Sequence, residues 1–107
     1  MSVEEQIAQA KADLQKALEI LKTDGWTQGV YRCKDGRYCV SGAIMAAIGV
    51  EEIAGTHFKP MEREQWMRHN NARQRLERHI PDDAIEWNDD GARTFNQVRD
   101  ALLDATR

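Results

Sequence analysis

The segment that most limits the fold is Ala43-Ile44-Met45-Ala46-Ala47-Ile48, the longest apolar run in the chain. At six residues it falls far short of the roughly 20 that a membrane-spanning helix needs. Ser41 stands ahead of it as an N-cap and Gly49 behind it as a stop, so the pattern predicts a short helix over 42–48. A helix that is apolar on every side has to be enclosed by other elements. The remaining chain must therefore supply amphipathic layers around it.

Those layers are visible in the spacing. Ser2-Val3-Glu4-Glu5 fits a capping box, and Ile7, Ala10, Leu14, Ala17, Leu18 and Leu21 follow at steps of three and four. They predict a helix over 3–23 that stops at Asp24-Gly25. Two β-prone runs, 26–33 and 38–40, flank Lys34-Asp35-Gly36-Arg37 and predict a hairpin. Residues 50–60 carry no clear pattern. A polar helix is predicted over 61–79, with Met61, His69, Ala72, Leu76 and Ile80 on one side. Ile85 and Trp87 alternate as a short extended segment, and Asn88-Asp89-Asp90-Gly91 forms a turn. Thr94-x-x-Gln97 is a second capping box, opening a last helix with Phe95, Val98, Leu102 and Ala105 on one face. The expected fold is α+β, mainly α: four helices, the second one short, packed with one short β-hairpin in a single domain over 1–107.

A chain of 107 residues buries roughly two thirds of its unfolded surface, enough for a core without metal or disulfide staples. Hydrophobic residues at 41% and charged residues at 31% describe a globular chain. The net charge of -3 disfavours nonspecific nucleic-acid binding by the whole surface and names no partner. The start of the chain carries no basic and apolar leader, so the cytoplasm is the expected compartment and both cysteines are expected as thiols.

Three clusters together resemble a known family. They are Trp26-Thr27-Gln28-Gly29, Cys39-Val40-Ser41-Gly42-Ala43, and Trp87-Asn88-Asp89 followed by Arg93-Thr94 and Val98. Their order is similar to that of small uncharacterised proteins from actinobacteria and their phages. The pattern there is helix, W-x-x-G, a glycine turn, C-x-x-G-A, a variable helical middle, W-N-D, threonine and a last helix. The resemblance spans the chain apart from 50–80. It implies such an origin, with a bacterial host cytoplasm for a phage-encoded protein, and it brings no activity.

Cys39 is the sharpest chemical candidate, because a cysteine ahead of a helix can have a depressed pKa and act as a nucleophile. Such chemistry needs a placed base. No predicted strand carries His57, His69 or His79, so the favoured reading of Cys39 is a small buried hydrophobe at a strand-to-helix junction. A Cys33–Cys39 disulfide is disfavoured. With Asp35-Gly36 as the turn, Cys33 faces Tyr38 and Arg32 faces Cys39, so the thiols point to opposite faces. Cysteines five residues apart and histidines ten apart fit no structural zinc spacing. No cofactor is implied.

Arg68, Asn71, Arg75 and Arg78 form one stripe on the third long helix. It reads as a solvated face in which Glu64 pairs with Arg68 and Arg73 with Glu77, and alternatively as a phosphate-binding surface. Trp66 and Met67 fall outside that helix's apolar face and mark a contact surface for a protein partner or a homodimer. Trp26 and Trp87 read as core anchors. Asn88 and Asp89 read as turn formers, with a carboxylate site beside Cys39 as the alternative. The expected function is that of a non-enzymatic accessory or regulatory protein acting on another macromolecule. Nucleic-acid binding through the arginine stripe is the alternative, followed by a cysteine-dependent hydrolase or transferase.

Overall fold

A computed structural model describes all 107 residues. The molecule is mainly helical, with five helices and one two-stranded sheet. Helix α1 (Val3–Asp24) opens with the expected capping box, in which Ser2 and Glu5 satisfy each other's backbone N–H groups. Its stripe of Ala10, Leu14, Ala17, Leu18 and Leu21 is buried. Gly25, at a φ of 100°, ends it.

Helix α2 (Val40–Ala47) is the enclosed helix, with Val40, Ala43 and Ile44 at 0% exposure. It starts two residues earlier than the sequence predicts. Its N-cap is Cys39, whose sulfur accepts a hydrogen bond from Gly42 N at 3.3 Å. Ser41 is not the cap, because its hydroxyl meets His69 Nε2 at 3.0 Å on another helix.

The expected hairpin over 26–40 is replaced by an irregular loop. Gly25, Gly29 and Gly36 all take positive φ, so the chain turns repeatedly and no ladder forms. Instead Tyr38 pairs on one side with Trp26 and on the other with Arg32. Arg32, and not Cys33, therefore faces Tyr38, a register one residue away from that of the two-residue turn. Both cysteines are free.

The sheet lies in the segment that carried no pattern. Strand β1 (Glu52–Ile53) pairs antiparallel with β2 (His57–Phe58). Helix α3 (Arg63–Glu77) follows, capped at Glu62 with Gln65 closing the box and burying Ala72 and Leu76. Residues 84–89 are helical, not extended: α4 (Ala84–Asp89) begins at the Asp83 cap, whose side chain accepts from Glu86 N. A six-residue helix contains the Ile85–Trp87 alternation equally well, and the cap decides. Asn88 and Asp89 thus end a helix, and Asn88 is buried. Helix α5 (Phe95–Ala105) carries the predicted Thr94–Gln97 box. One core cluster joins α1, α2, α3, α4 and α5, with Trp87 among its members.

Candidate functional site

The three clusters singled out in the sequence meet at one buried side chain. Asn88, 1% exposed, accepts hydrogen bonds from Trp26 Nε1 at 2.8 Å and Val40 N at 3.0 Å, and its amide donates to Thr27 O at 3.2 Å. Gln28 Nε2 donates to the carbonyls of Asn88 and Asp90. Gly29 N donates to Asp89 Oδ1 at 2.9 Å. The 26–31 loop is thereby strapped to α4 and laid across the start of α2. Gly42 makes this approach feasible: a Cβ there would lie 2.0 Å from Tyr31 O. Cys39 N donates to that same carbonyl.

A cleft of about 340 Å³ opens where these segments meet. Gly29, Val30 and Tyr31 form one wall and Ile85 and Asp89 of α4 another. Thr56 and His57, at the β1–β2 turn, close a third side, and Cys39 contributes to the floor. Val30, Tyr31 and Ile85 are 50%, 46% and 42% exposed. Asp89 has no basic partner, and no lysine or arginine lines the cleft. Thr56 Oγ1 and His57 Nδ1 share a hydrogen bond of 2.9 Å. Behind Tyr31, Phe58 packs edge-on against its ring. Tyr38 donates to Glu52 Oε1 at 2.5 Å, and Arg32 pairs with the same carboxylate. Burial, followed by that bond to Glu52, pushes the Tyr38 hydroxyl up to about 12.

The sequence finds no strand for a histidine, yet β2 carries His57 into the cleft that contains Cys39 and Asp89. The signal is absent because two-residue strands are too short to leave a periodicity. Burial pushes the Cys39 pKa up, and the Asp89 charge adds to this; the N–H groups of Gly42 and Ser41 act the other way without prevailing. The sulfur's hydrogen-bond partner is Gly42 N, not His57. No three His, Cys, Asp or Glu side chains are grouped to hold a metal ion.

The arginine stripe is largely committed within the fold. Arg68 binds Asp13 of α1, with Nη2 to Oδ1 at 2.7 Å, and not Glu64. Asp13 is buried and needs the charge; the exposed Glu64 does not. Arg75 Nε donates to Ala105 O at the end of α5. Arg73 pairs with Glu77 as expected from their spacing. Arg78 stays exposed and unpaired. Trp66 and Met67 are 56% and 48% exposed. Sequence reasoning missed Asp13 and the Ser41–His69 pair, since both partners lie on distant segments. Thr94 caps α5, Ala43 is fully buried, and Trp87 stacks under the Arg93 guanidinium at 4.2 Å.

Residues 6–107 match the model of a family of unknown function (DUF6197), and the chain belongs to that family. No curated protein and no solved structure matches it.

Proposed function

We propose that this member of the family is a small non-enzymatic accessory protein that acts by binding another protein, with the Cys39 cleft receiving a cationic side chain of the partner. One observation carries the reading: three exposed apolar side chains, Val30, Tyr31 and Ile85, surround a cleft whose one lining acid, Asp89, has no basic partner. Concave, mostly apolar sites with a few convergent polar groups are where ligands bind. Exposed aromatic and aliphatic groups that cluster mark interfaces. An aspartate among them selects a lysine or arginine. The same reading takes the chain as one domain working in the cytoplasm of an actinobacterium or of a phage's host.

Capture of partners from a lysate of the source cell tests it. The wild-type chain is compared with Val30→Arg and Ile85→Arg, which place a like charge where the partner's cation would sit. A partner retained by the wild type and lost by both variants is the expected result. Equal capture by all three removes the cleft from the binding surface, and no capture by the wild type removes the reading.

The meeting of Cys39, His57 and Asp89 favours a second reading, a cysteine-dependent hydrolase or transferase. Labelling with a thiol reagent near neutral pH separates the two. The inert cap predicts that Cys33 reacts in the native protein and Cys39 only after unfolding. Fast native labelling of Cys39 would favour the enzyme. Nucleic-acid binding by Arg68, Arg75 and Arg78 is the weakest reading, since Arg78 alone is uncommitted; it would show as affinity falling steeply with salt.

A further inference from the structure

The apolar stripe of α1 outruns the core. Ala10, Leu14, Ala17, Leu18 and Leu21 are buried along it, while Val3 and Ile7, which continue it toward the N-terminus, are 71% and 40% exposed. The two flanks of this bare end differ in charge. On one flank, Gln6 faces α3 across a groove whose far wall includes Asn71, Arg75 and Arg78, and no carboxylate lines that groove. It continues past Gln6 to Met1 and Met67, where Glu64 and Arg68 also line it, so the flank is free of carboxylates only beside Val3 and Ile7. On the other flank, at 100° per residue around the helix, stands Glu4, exposed and without a basic partner; the same flank carries a cation, Lys11, only two turns further on, beyond the bare end. An apolar strip with a cation on one side and an anion on the other, at the same height, is complementary to a copy of itself.

We infer that this end of α1 and the adjoining edge of α3 form a docking surface for a second copy of the chain, with the two-fold axis running parallel to α1. That axis lays Val3 and Ile7 on their own counterparts and sets Glu4 of each protomer against Arg78 of the other. A two-fold perpendicular to α1 within the interface plane would set arginine against arginine, so charge selects the parallel arrangement. Closed two-fold pairs are the commonest way for one chain to satisfy such a patch. This face is separate from the Cys39 cleft and does not depend on what the cleft binds.

Sedimentation equilibrium on the full chain tests the inference, with far-UV circular dichroism verifying that each variant is folded. The wild type should show a monomer–dimer equilibrium. Ile7→Glu should be monomeric. Arg78→Glu and Glu4→Arg should each weaken the dimer by roughly tenfold, because like charges then oppose each other. The double variant Glu4→Arg/Arg78→Glu restores the pairing in reverse and should return to within about threefold of the wild type. Ile85→Arg, which blocks the cleft, should leave the dimer intact. A wild type that stays monomeric up to roughly millimolar chain would overturn the inference. So would a double variant no tighter than the single ones.

Discussion

Replacing Asn88 by alanine tests whether one side chain holds the cleft's walls together. In the native protein its amide oxygen accepts from Trp26 Nε1 and Val40 N, and its nitrogen donates to Thr27 O. Truncation strands two donors and the Thr27 carbonyl, and it also removes the 2.9 Å bond that Asn88 Nδ2 donates to the exposed Asp89 carboxylate. Each polar group left buried without a partner costs about 1–3 kcal/mol. Trp26 is only half-buried and water can reach part of that site, so the sum is discounted to about 3–5 kcal/mol. A domain of this size has about 5–15 kcal/mol of stability, so the variant loses a large fraction of it. Urea unfolding followed by tryptophan fluorescence and circular dichroism measures the loss. The midpoint should fall with the slope unchanged, which locates the effect in the native state. Asn88→Asp is a sharper probe, because it keeps the shape and both acceptor roles. It loses the donors to Thr27 O and to Asp89 Oδ1, which accepts from Asn88 Nδ2 at 2.9 Å in the native protein, and sets a second carboxylate beside Asp89. It should be destabilised at neutral pH and partly recover on acidification. A loss under about 1 kcal/mol for Asn88→Ala would refute the reasoning, since water would then be replacing the amide.

Two further outcomes follow from the same packing. Gly42→Ala places a Cβ 2.0 Å from Tyr31 O and 2.8 Å from Tyr31 C, both backbone atoms that cannot rotate away. The expected cost is about 3 kcal/mol with displacement of the 26–31 loop, read as a lower urea midpoint and faster labelling of Cys39; an unchanged midpoint would mean that the loop does not pack as described. His69 has its pKa lowered below the ordinary 6.5, mainly by burial and then by Arg73, against the opposing hydrogen bond to Ser41 and the charge of Glu77. The unfolded chain therefore takes up a proton before the folded one. The contribution of His69 to stability is complete above about pH 6.5 and declines as pH falls below it. His69→Gln should flatten that decline, and an identical pH profile in the variant would assign it to other groups.

What the sequence reveals and what it hides divide along the range of the interactions involved. Helices α1 and α5 are legible because each carries its own capping box and apolar stripe within a few turns. The enclosed position of α2 is legible because no surface helix tolerates Ala43 to Ile48. Its start is not, because the choice between Cys39 and Ser41 as cap is made by His69, 28 residues away, which takes the serine hydroxyl. A propensity scale ranks serine ahead of a weakly accepting thiol and so picks the wrong residue. The 26–40 run has the composition of a hairpin. Its actual path depends on Asn88 and Gln28, which hold it to α4 across sequence separations of about 60 residues. Arg68 is misassigned for a related reason: a helical neighbour is visible in the sequence, whereas a buried carboxylate on α1 is not.

Cys39 shows most directly how these interactions shape the candidate site. A thiol at a helix start receives N–H groups that favour the thiolate, and an exposed one would be a nucleophile. Here the loop that Asn88 straps down covers it, and burial outweighs the helix. The same straps build the walls of the cleft. Thr27 leads into Gly29, Val30 and Tyr31; Val40 adjoins Cys39; Asn88 adjoins Asp89, one helical turn from Ile85. The side chain that straps the loop over the thiol therefore also fixes the apolar rim and the carboxylate at their separations. Binding at a preformed cleft is sensitive to such positioning, because a loosened wall must be ordered again when the partner arrives. Asn88→Ala should accordingly weaken partner capture under conditions where most of the variant is still folded, and should raise Cys39 labelling at the same time. Were capture to fall only in proportion to the folded fraction, Asn88 would be a stability residue alone, and the rigidity of the cleft would have no part in recognition.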